Sequence, residues 1–167
     1  MKVLVTEEQI ARRVRELGGE ISAFYKGKPL TVIILMNGAL PFGADLVRAI
    51  NLPLRWEAFS CSSYSDDRSS GKLNIRGDLK NSVAGRHLLI VDDVLDTGFT
   101  MKTIIGNMLE RGASSVRTCV LLNKNLSGKF FVSPDWVGFE IPNEYVVGYG
   151  LDSNEEYRNL PYIAVKE

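Results

Sequence analysis

The sequence predicts an α/β fold, because apolar runs of strand length alternate with segments of helical pattern. Leu30 to Met36 and Leu88 to Val91 are short aliphatic runs with the composition of buried strands. Each run is followed by a polar turn and then by residues at helical spacing. With 167 residues the chain has the length of one domain and enough residues for a single core. We therefore expect one domain, residues 1–167, built from strand–turn–helix units.

The first long element is predicted to be an amphipathic helix. Thr6, with Gln9 three residues later, is typical of a capping box, in which each of the two side chains accepts a hydrogen bond from the backbone N–H of the other residue. Apolar residues then recur at helical spacing, at Ile10, Val14, Leu17 and Ile21. The Gly18-Gly19 pair weakens this helix without clearly ending it, and residues 26–29 form the turn that follows.

The next unit consists of the strand Leu30 to Met36, a turn beginning at Asn37-Gly38, and a helix from about Pro41 to Ile50. Backbone N–H groups in such a turn, beside a helix N-terminus, can hold an anion. The alternative is a turn with a structural role only, and this turn taken alone favours that alternative.

A long polar segment follows the third predicted strand, Leu54 to Cys61. Residues 62–71 carry no hydrophobic anchor, and loops of this length are usually either functional lids or disordered segments. Composition alone favours simple mobility. A further short strand is predicted from Lys72 to Asp78.

The stretch from His87 to Met101 combines a buried strand, a polar turn and the start of a helix. Its apolar run ends in two adjacent carboxylates, Asp92 and Asp93, and residues 96–100 then read Asp-Thr-Gly-Phe-Thr. A helical pattern continues through Arg111. Free N–H groups and the positive dipole end at a helix N-terminus attract anions, and glycine allows close approach of a ligand. This stretch therefore predicts an anion site.

The acidic pair limits what that site can bind. Because carboxylates repel phosphate, Asp92 and Asp93 suit sugar hydroxyls or a divalent metal, with a phosphate held farther along the turn. The structural alternative is that Asp96 is the N-cap of the helix and that the acidic pair merely ends the strand. The whole string favours the ligand site over that alternative.

The C-terminal part of the chain has a different character. Lys124 follows the predicted strand Val116 to Leu122, at the sheet edge where open α/β folds bind ligands. Residues 137–162 then alternate glycines, aromatics and short β-like pieces, which suits an irregular hood over a sheet. The alternative for Tyr145 is packing in the core, and the alternative for Arg158 is a surface ion pair.

Composition and charge exclude several classes of function. Twenty basic and 20 acidic residues balance, so there is no global electrostatic case for binding nucleic acid or an anionic membrane. No apolar run has the length of a membrane span, and the N-terminus lacks a signal-peptide core. Cys61 and Cys119 are expected to be free, buried thiols. We expect a cytoplasmic protein without nucleic-acid or membrane partners.

The string from Leu88 to Thr100 resembles the phosphoribosyl pyrophosphate (PRPP) loop of the type I phosphoribosyltransferase family. The turn at Asn37-Gly38 resembles the pyrophosphate-binding loop of that family, and Ser63-Tyr64 resembles its mobile lid. Residues 141–152, IPNEYVVGYGLD, and the following YRNLPY resemble the purine branch that uses hypoxanthine and guanine. The resemblance covers nearly the whole chain. It implies a type I phosphoribosyltransferase fold: a parallel-sheet core flanked by helices, with a small C-terminal hood from about 124–167 plus the N-terminal segment.

The resemblance also implies how PRPP is bound. Residues 96–100 would hold the 5′-phosphate, and Asp92 and Asp93 the ribose hydroxyls, although Asp92 replaces the more usual glutamate. A non-proline cis peptide would fall at Met36-Asn37, where related purine enzymes usually carry lysine in place of asparagine. The implied PRPP-binding residues are Asn37, Gly38, Asp92, Asp93, Asp96, Thr97, Gly98, Phe99, Thr100 and Arg158.

The remaining implied roles concern the base, the metal and the proton. Lys124 would donate to the purine 6-oxo group, Tyr145 would stack on the ring, and the Val146 backbone would read the 2-position edge. Asp152 would bind a Mg²⁺ ion that bridges to pyrophosphate. Asp96 would act as general base at purine N7.

The implied activity is purine salvage. The phosphoribosyl group of PRPP would be transferred to N9 of hypoxanthine or guanine, giving IMP or GMP plus pyrophosphate, in a homodimer or homotetramer. One alternative is an enzyme that prefers xanthine, adenine or a pyrimidine, and xanthine is the hardest of these to exclude. Another is a non-catalytic, nucleotide-binding regulator of the same fold. Such a regulator would tend to lose Asp96 or Asp152, and both are present.

Overall fold

A computed structural model describes residues 1–62, 74–76, 79–95, 98–124 and 132–167. The elements in chain order are β1 (Lys2–Val5), α1 (Glu7–Phe24), β2 (Leu30–Met36), α2 (Leu40–Ala49), β3 (Leu54–Ser62), β4 (Asn74–Arg76), β5 (His87–Leu95), α3 (Phe99–Glu110), β6 (Ser115–Lys124), β7 (Trp136–Ile141), β8 (Val146–Val147) and β9 (Ile163–Val165). The alternation of strands and helices confirms the predicted α/β class. Ser63 and Tyr64, the predicted lid residues, lie outside the described residues.

The central sheet has the strand order β4-β3-β2-β5-β6-β7. Its neighbours pair in parallel from β3 to β7, and only β4 runs antiparallel, against β3. In a parallel sheet all carboxyl ends of the strands meet at one edge, so the turns that follow β2 and β5 lie side by side. The predicted parallel core is confirmed.

Strand β2 is apolar except for Thr31, because it is buried on both faces. Val32 and Ile34 belong to the core that contains residues of α1 and α2. Ile33 and Leu35 point the other way, into the core formed with α3. The sheet is therefore a middle layer between helices.

Helix α1 has the predicted cap and continues through its glycine pair. The Thr6 hydroxyl accepts a hydrogen bond from Gln9 N at 3.2 Å, and Gln9 Oε1 accepts one from Thr6 N at 2.8 Å. Close packing explains the glycine at position 18, because a Cβ atom there would collide with the Ala49 carbonyl of α2. Gly19 faces open space. One glycine of the pair thus allows α1 and α2 to approach closely.

The strand–turn–helix unit around β5 differs from the prediction at two points. The strand does not end at the acidic pair but continues to Leu95, because β6 goes on pairing with it through Asp92, Val94 and Leu95. The N-cap of α3 is Gly98, in the left-handed conformation with φ 82°, so the structural alternative of Asp96 as N-cap was wrong.

A second, smaller sheet joins the two ends of the chain. β9 lies between β1 and β8 and pairs antiparallel with both. We use the name hood for this sheet together with residues 142–167. The strand β7 was expected in the hood, but it forms the edge of the central sheet next to β6. The single-domain organisation stays a prediction.

Two further expectations concern membrane spans and thiols. None of the helices in the described ranges combines the length and apolar character that a membrane crossing requires. Cys119 is a free, buried thiol as predicted, and burial raises its pKa.

Candidate active site

The turn after β2 is shaped for close backbone contacts. Its Met36-Asn37 peptide bond is cis, as the family resemblance implied. At Gly38 a Cβ atom would collide with Oδ2 of Asp93. Only glycine allows the carboxylate of Asp93 to lie against this turn, so the first two predicted binding segments are in direct contact.

The two carboxylates of the acidic pair are oriented by the backbone. Asp92 Oδ1 accepts a hydrogen bond from Asp93 N at 2.8 Å, and Asp93 Oδ1 accepts one from Val94 N at 2.7 Å. Both side chains are only partly buried. The strand thus places two fixed carboxylates at its carboxyl end, within reach of solvent.

The start of α3 follows the acidic pair along the chain, after the end of β5 at Leu95. Its N-cap, Gly98, is buried and has no side chain to bond to the first N–H groups. A Cβ atom at Gly98 would lie 3.1 Å from Val132 N, a distance at which Val132 would have to move by a few tenths of an ångström. Phe99 is 48% exposed and Thr100 is partly buried. Asp96 and Thr97 lie outside the described residues, so their roles stay predictions.

A segment of the hood lies directly on the turn after β2. Gly148, Tyr149 and Gly150 all have positive φ angles, of 102°, 49° and 99°. At Gly150 a Cβ atom would collide with the Gly38 carbonyl oxygen. This close approach connects the hood to the same turn that carries the cis peptide.

The predicted hood residues form one connected group. The Arg158 guanidinium donates to the Gly150 carbonyl at 2.6 Å and lies 3.4 Å from a carboxylate oxygen of Asp152. It also lies 3.5 Å from Glu155, so the ion-pair alternative for Arg158 describes part of its surroundings. The Tyr145 hydroxyl donates to the Asp152 carbonyl at 3.2 Å. Because Tyr145 is 56% exposed, the core-packing alternative for it was wrong.

Lys124 is the last residue of β6 and lines a cleft of about 410 Å³. The cleft is also lined by Leu95, Asn123, Val132, Ser133, Pro134 and Glu140. Val146 is 6% exposed and lies in β8 of the hood sheet. The predicted base-binding residues thus come from the central sheet and from the hood.

Sequence reasoning did not find the contacts that attach the hood to the rest of the site. The Tyr149 hydroxyl donates to Asp45 Oδ2 at 2.5 Å, and Gly150 lies against Gly38. The only signal for these contacts was the Gly-Tyr-Gly string at 148–150, an aromatic residue between two flexible positions.

The family model described as a phosphoribosyl transferase domain matches residues 2–154. The chain is 43% identical to the hypoxanthine-guanine phosphoribosyltransferase of Bacillus subtilis, over 98% of this chain and 92% of that protein. It is 39% identical to the hypoxanthine-guanine-xanthine phosphoribosyltransferase of Tritrichomonas foetus, over 98% of this chain and 90% of that protein.

Solved structures agree with the sequence relatives. A hypoxanthine phosphoribosyltransferase from Staphylococcus aureus is 38% identical and superimposes with a TM-score of 0.93, over 100% of this chain and 93% of that one. The matches in sequence and in structure cover almost every residue of the chain. The chain therefore belongs to the phosphoribosyltransferase family, and within it to the hypoxanthine-guanine phosphoribosyltransferases.

Proposed function

We propose that this protein is a purine-salvage enzyme that transfers the phosphoribosyl group of PRPP to N9 of hypoxanthine or guanine, releasing pyrophosphate. The observation that carries the proposal is the contact of three segments at one sheet edge. Gly38 lies against Asp93, and Gly150 of the hood lies against Gly38. This contact brings a turn, an acidic pair and an arginine-bearing hood together, as the binding of a sugar with a 5′-phosphate and a pyrophosphate requires.

The groups for PRPP come from both strand–turn–helix units. The start of α3, with residues 96–100, would hold the 5′-phosphate at the positive end of the helix dipole, where the N-cap residue, Gly98, makes no side-chain hydrogen bond. Asp92 and Asp93 would accept hydrogen bonds from the ribose hydroxyls. The turn at Asn37-Gly38 and Arg158 would hold the pyrophosphate, with Asn37 contributing without the positive charge of the usual lysine.

The proposed groups for the base come from the end of β6 and from the hood. Lys124 would donate to the 6-oxo group of the purine, and the exposed ring of Tyr145 would stack on the base. The backbone of Val146 would contact the 2-position edge. Adenine presents an amine where Lys124 also donates, so it would leave a mismatch costing about 1–3 kcal/mol.

Mg²⁺ fits the residues that the site provides. The described residues contain no group of three or more metal-ligating side chains, but Mg²⁺ usually takes only one or two carboxylates and completes its shell with water and phosphate. Asp152 is partly exposed, and its Oδ2 is oriented by Glu155 N at 3.0 Å. We propose that Asp152 holds the ion together with PRPP. When bound, the ion would neutralise charge that develops on the leaving pyrophosphate.

In the proposed reaction N9 of the base forms a bond to C1′ of PRPP, while the bond from C1′ to the pyrophosphate oxygen breaks. The electron pair of that bond leaves with pyrophosphate, where Arg158 would stabilise the charge. Asp96 would accept the proton from N7, a contribution that is typically worth about 10²–10⁴-fold in rate. Ser63 and Tyr64 would close over the site and exclude water from the electrophilic sugar.

One observation keeps a second substrate in consideration. The Tritrichomonas foetus relative is named for xanthine as well as for hypoxanthine and guanine. Xanthine carries a 2-oxo group, so the contact at Val146 would decide its acceptance. We also propose a homodimer or homotetramer in the cytoplasm, by analogy with the family.

The test is the initial rate with PRPP and Mg²⁺ for hypoxanthine, guanine, xanthine, adenine and uracil. We expect rapid turnover of hypoxanthine and guanine, none of adenine or uracil, and none when Mg²⁺ is replaced by a chelator. Ribose 5-phosphate in place of PRPP is the matched control, because it lacks the leaving group. Nucleotide binding without turnover of any base would replace the enzyme by the regulatory alternative.

A further inference from the structure

Tyr149 has no part in the proposed chemistry, yet the hood holds it in an uncommon conformation. Its φ angle is 49°, in the left-handed region that residues with a side chain seldom adopt. It is also 8% exposed, between two glycines. A tyrosine in this conformation is retained only where its surroundings determine it, so its contacts are informative.

The Tyr149 side chain connects the hood to α2. Its hydroxyl donates to Asp45 Oδ2 at 2.5 Å, and its backbone N–H donates to the Leu160 carbonyl at 2.8 Å. The other oxygen of Asp45 accepts from Arg48. Burial and the bond to Asp45 both raise the pKa of Tyr149, so its hydroxyl remains a donor at any physiological pH.

The residue after Tyr149 makes the contacts that matter for pyrophosphate. Gly150 lies so close to the Gly38 carbonyl that no side chain fits between them. Its N–H donates to the Arg158 carbonyl at 2.9 Å, and its own carbonyl accepts from the Arg158 guanidinium at 2.6 Å. The position of Gly150 therefore fixes the distance between the turn after β2 and Arg158.

We propose that Tyr149 and Asp45 form a positioning pair, which holds Gly150 on the turn at Gly38 and so sets the pyrophosphate half of the site. The pair does not touch substrate and acts through Gly150. The inference rests on the proposed function, since it assumes that this half of the site binds pyrophosphate and PRPP.

The purine half is held by other means, which makes the inference selective. Val146 and Val147 are fixed in β8 by pairing with Val165 and Ala164 of β9. Lys124 is fixed in β6 of the central sheet. Loss of the bond between Tyr149 and Asp45 should therefore weaken PRPP and pyrophosphate binding while leaving base binding nearly unchanged.

The first test is Tyr149→Phe, which removes only the hydroxyl. We expect KM for PRPP, and Kd for pyrophosphate measured by calorimetry, to rise about tenfold, the size expected when one hydrogen bond to a charged group is lost. KM for hypoxanthine should stay within about twofold, because the lost bond does not hold the residues proposed to bind the base.

The matched control is Tyr162→Phe. Tyr162 lies in the same hood and is partly buried, and its hydroxyl makes no hydrogen bond to the described residues. This control should change neither constant.

The second test is Asp45→Ala, alone and combined with Tyr149→Phe. Asp45→Ala leaves the buried Tyr149 hydroxyl unsatisfied, whereas Tyr149→Phe leaves Asp45, whose side chain is 39% exposed, still paired with Arg48. The double variant should therefore be no worse than Asp45→Ala alone. Equal rises in both KM values, or an unchanged pyrophosphate Kd in Asp45→Ala or in folded Tyr149→Phe, would overturn the inference. If Tyr149→Phe does not fold, Asp45→Ala decides alone.

Pyrophosphate binding by calorimetry does not require turnover. Failure of the base panel would therefore reject the proposed function, whereas an unselective effect in these variants would reject only the positioning pair.

Discussion

The three helices of the described structure begin in two different ways. Helix α1 has a complete capping box from Thr6 and Gln9, and its first turn carries Glu7 and Glu8. Helices α2 and α3 begin after Ala39 and Gly98, with no side-chain cap and no acidic residue in the first turn. Only α2 and α3 follow the strands whose carboxyl ends form the candidate site.

The contrast has a physical reason. The first N–H groups of a helix need partners, and a side-chain cap that supplies one typically stabilises the protein by about 1 kcal/mol. In α1 the chain supplies these partners itself, and two glutamates at the positive end of the dipole would repel a phosphate. At α2 the Leu40 N–H donates to the Asn37 carbonyl at 3.1 Å and Pro41 has no N–H, whereas the N-cap of α3, Gly98, makes no side-chain hydrogen bond. We therefore propose that the helix starts without a side-chain cap belong to the binding site, and that the capped start of α1 has a structural role.

The largest effect of any variant is expected at Asp96. Because the N-cap of α3 is Gly98 and asparagine has nearly the size of aspartate, Asp96→Asn should leave the free energy of unfolding nearly unchanged. It removes a proton acceptor, so we expect kcat to fall by about 10²–10⁴-fold while PRPP binding largely persists. Single-turnover rates and PRPP calorimetry on the same preparation measure both quantities.

The matched variant for this prediction is Asp96→Glu, which keeps a carboxylate at a different reach. It should retain more activity than Asp96→Asn. Equal turnover of Asp96→Asn and the unaltered protein would remove Asp96 from the role of base.

The smallest effect is expected at the capped helix. Thr6→Ala removes one acceptor from the α1 terminus and should lower the free energy of unfolding by about 1 kcal/mol. Because α1 has no proposed ligand, KM for PRPP and for hypoxanthine should not change. Urea unfolding and steady-state rates measure these effects, and Thr6→Ser, which keeps the hydroxyl, should lose much less stability. A change in KM for PRPP would show that the distinction between capped and uncapped helices is too simple.

Much of the fold could be predicted because the local signals are strong. Strand β2 has the predicted bounds, and α1 has the predicted cap, since a run of apolar residues and a capping box are both local patterns. The end of β5 could not be predicted, because its extension to Leu95 depends on pairing with β6. Likewise β7 is an edge strand whose irregular pattern does not differ from that of the hood.

The sequence suggested the residues of the proposed site but not the contacts among them. The strings around Asp92–Asp93 and Asn37-Gly38 have compositions that indicate ligand binding. Their contact, at Gly38 and Asp93, depends on a distance between two turns that no local pattern encodes. The bond between Tyr149 and Asp45 spans 104 residues and was missed for the same reason.

The most direct test of the distinction between capped and uncapped helices is the amide spectrum of ¹⁵N-labelled protein during titration with PRPP and Mg²⁺. We predict that the largest shifts occur in the turn and first helical turn at residues 37–40 and 98–101, with no comparable shift at residues 7–9 of α1. Saturation with PRPP that leaves residues 98–101 unperturbed, or that perturbs α1 equally, would contradict the account.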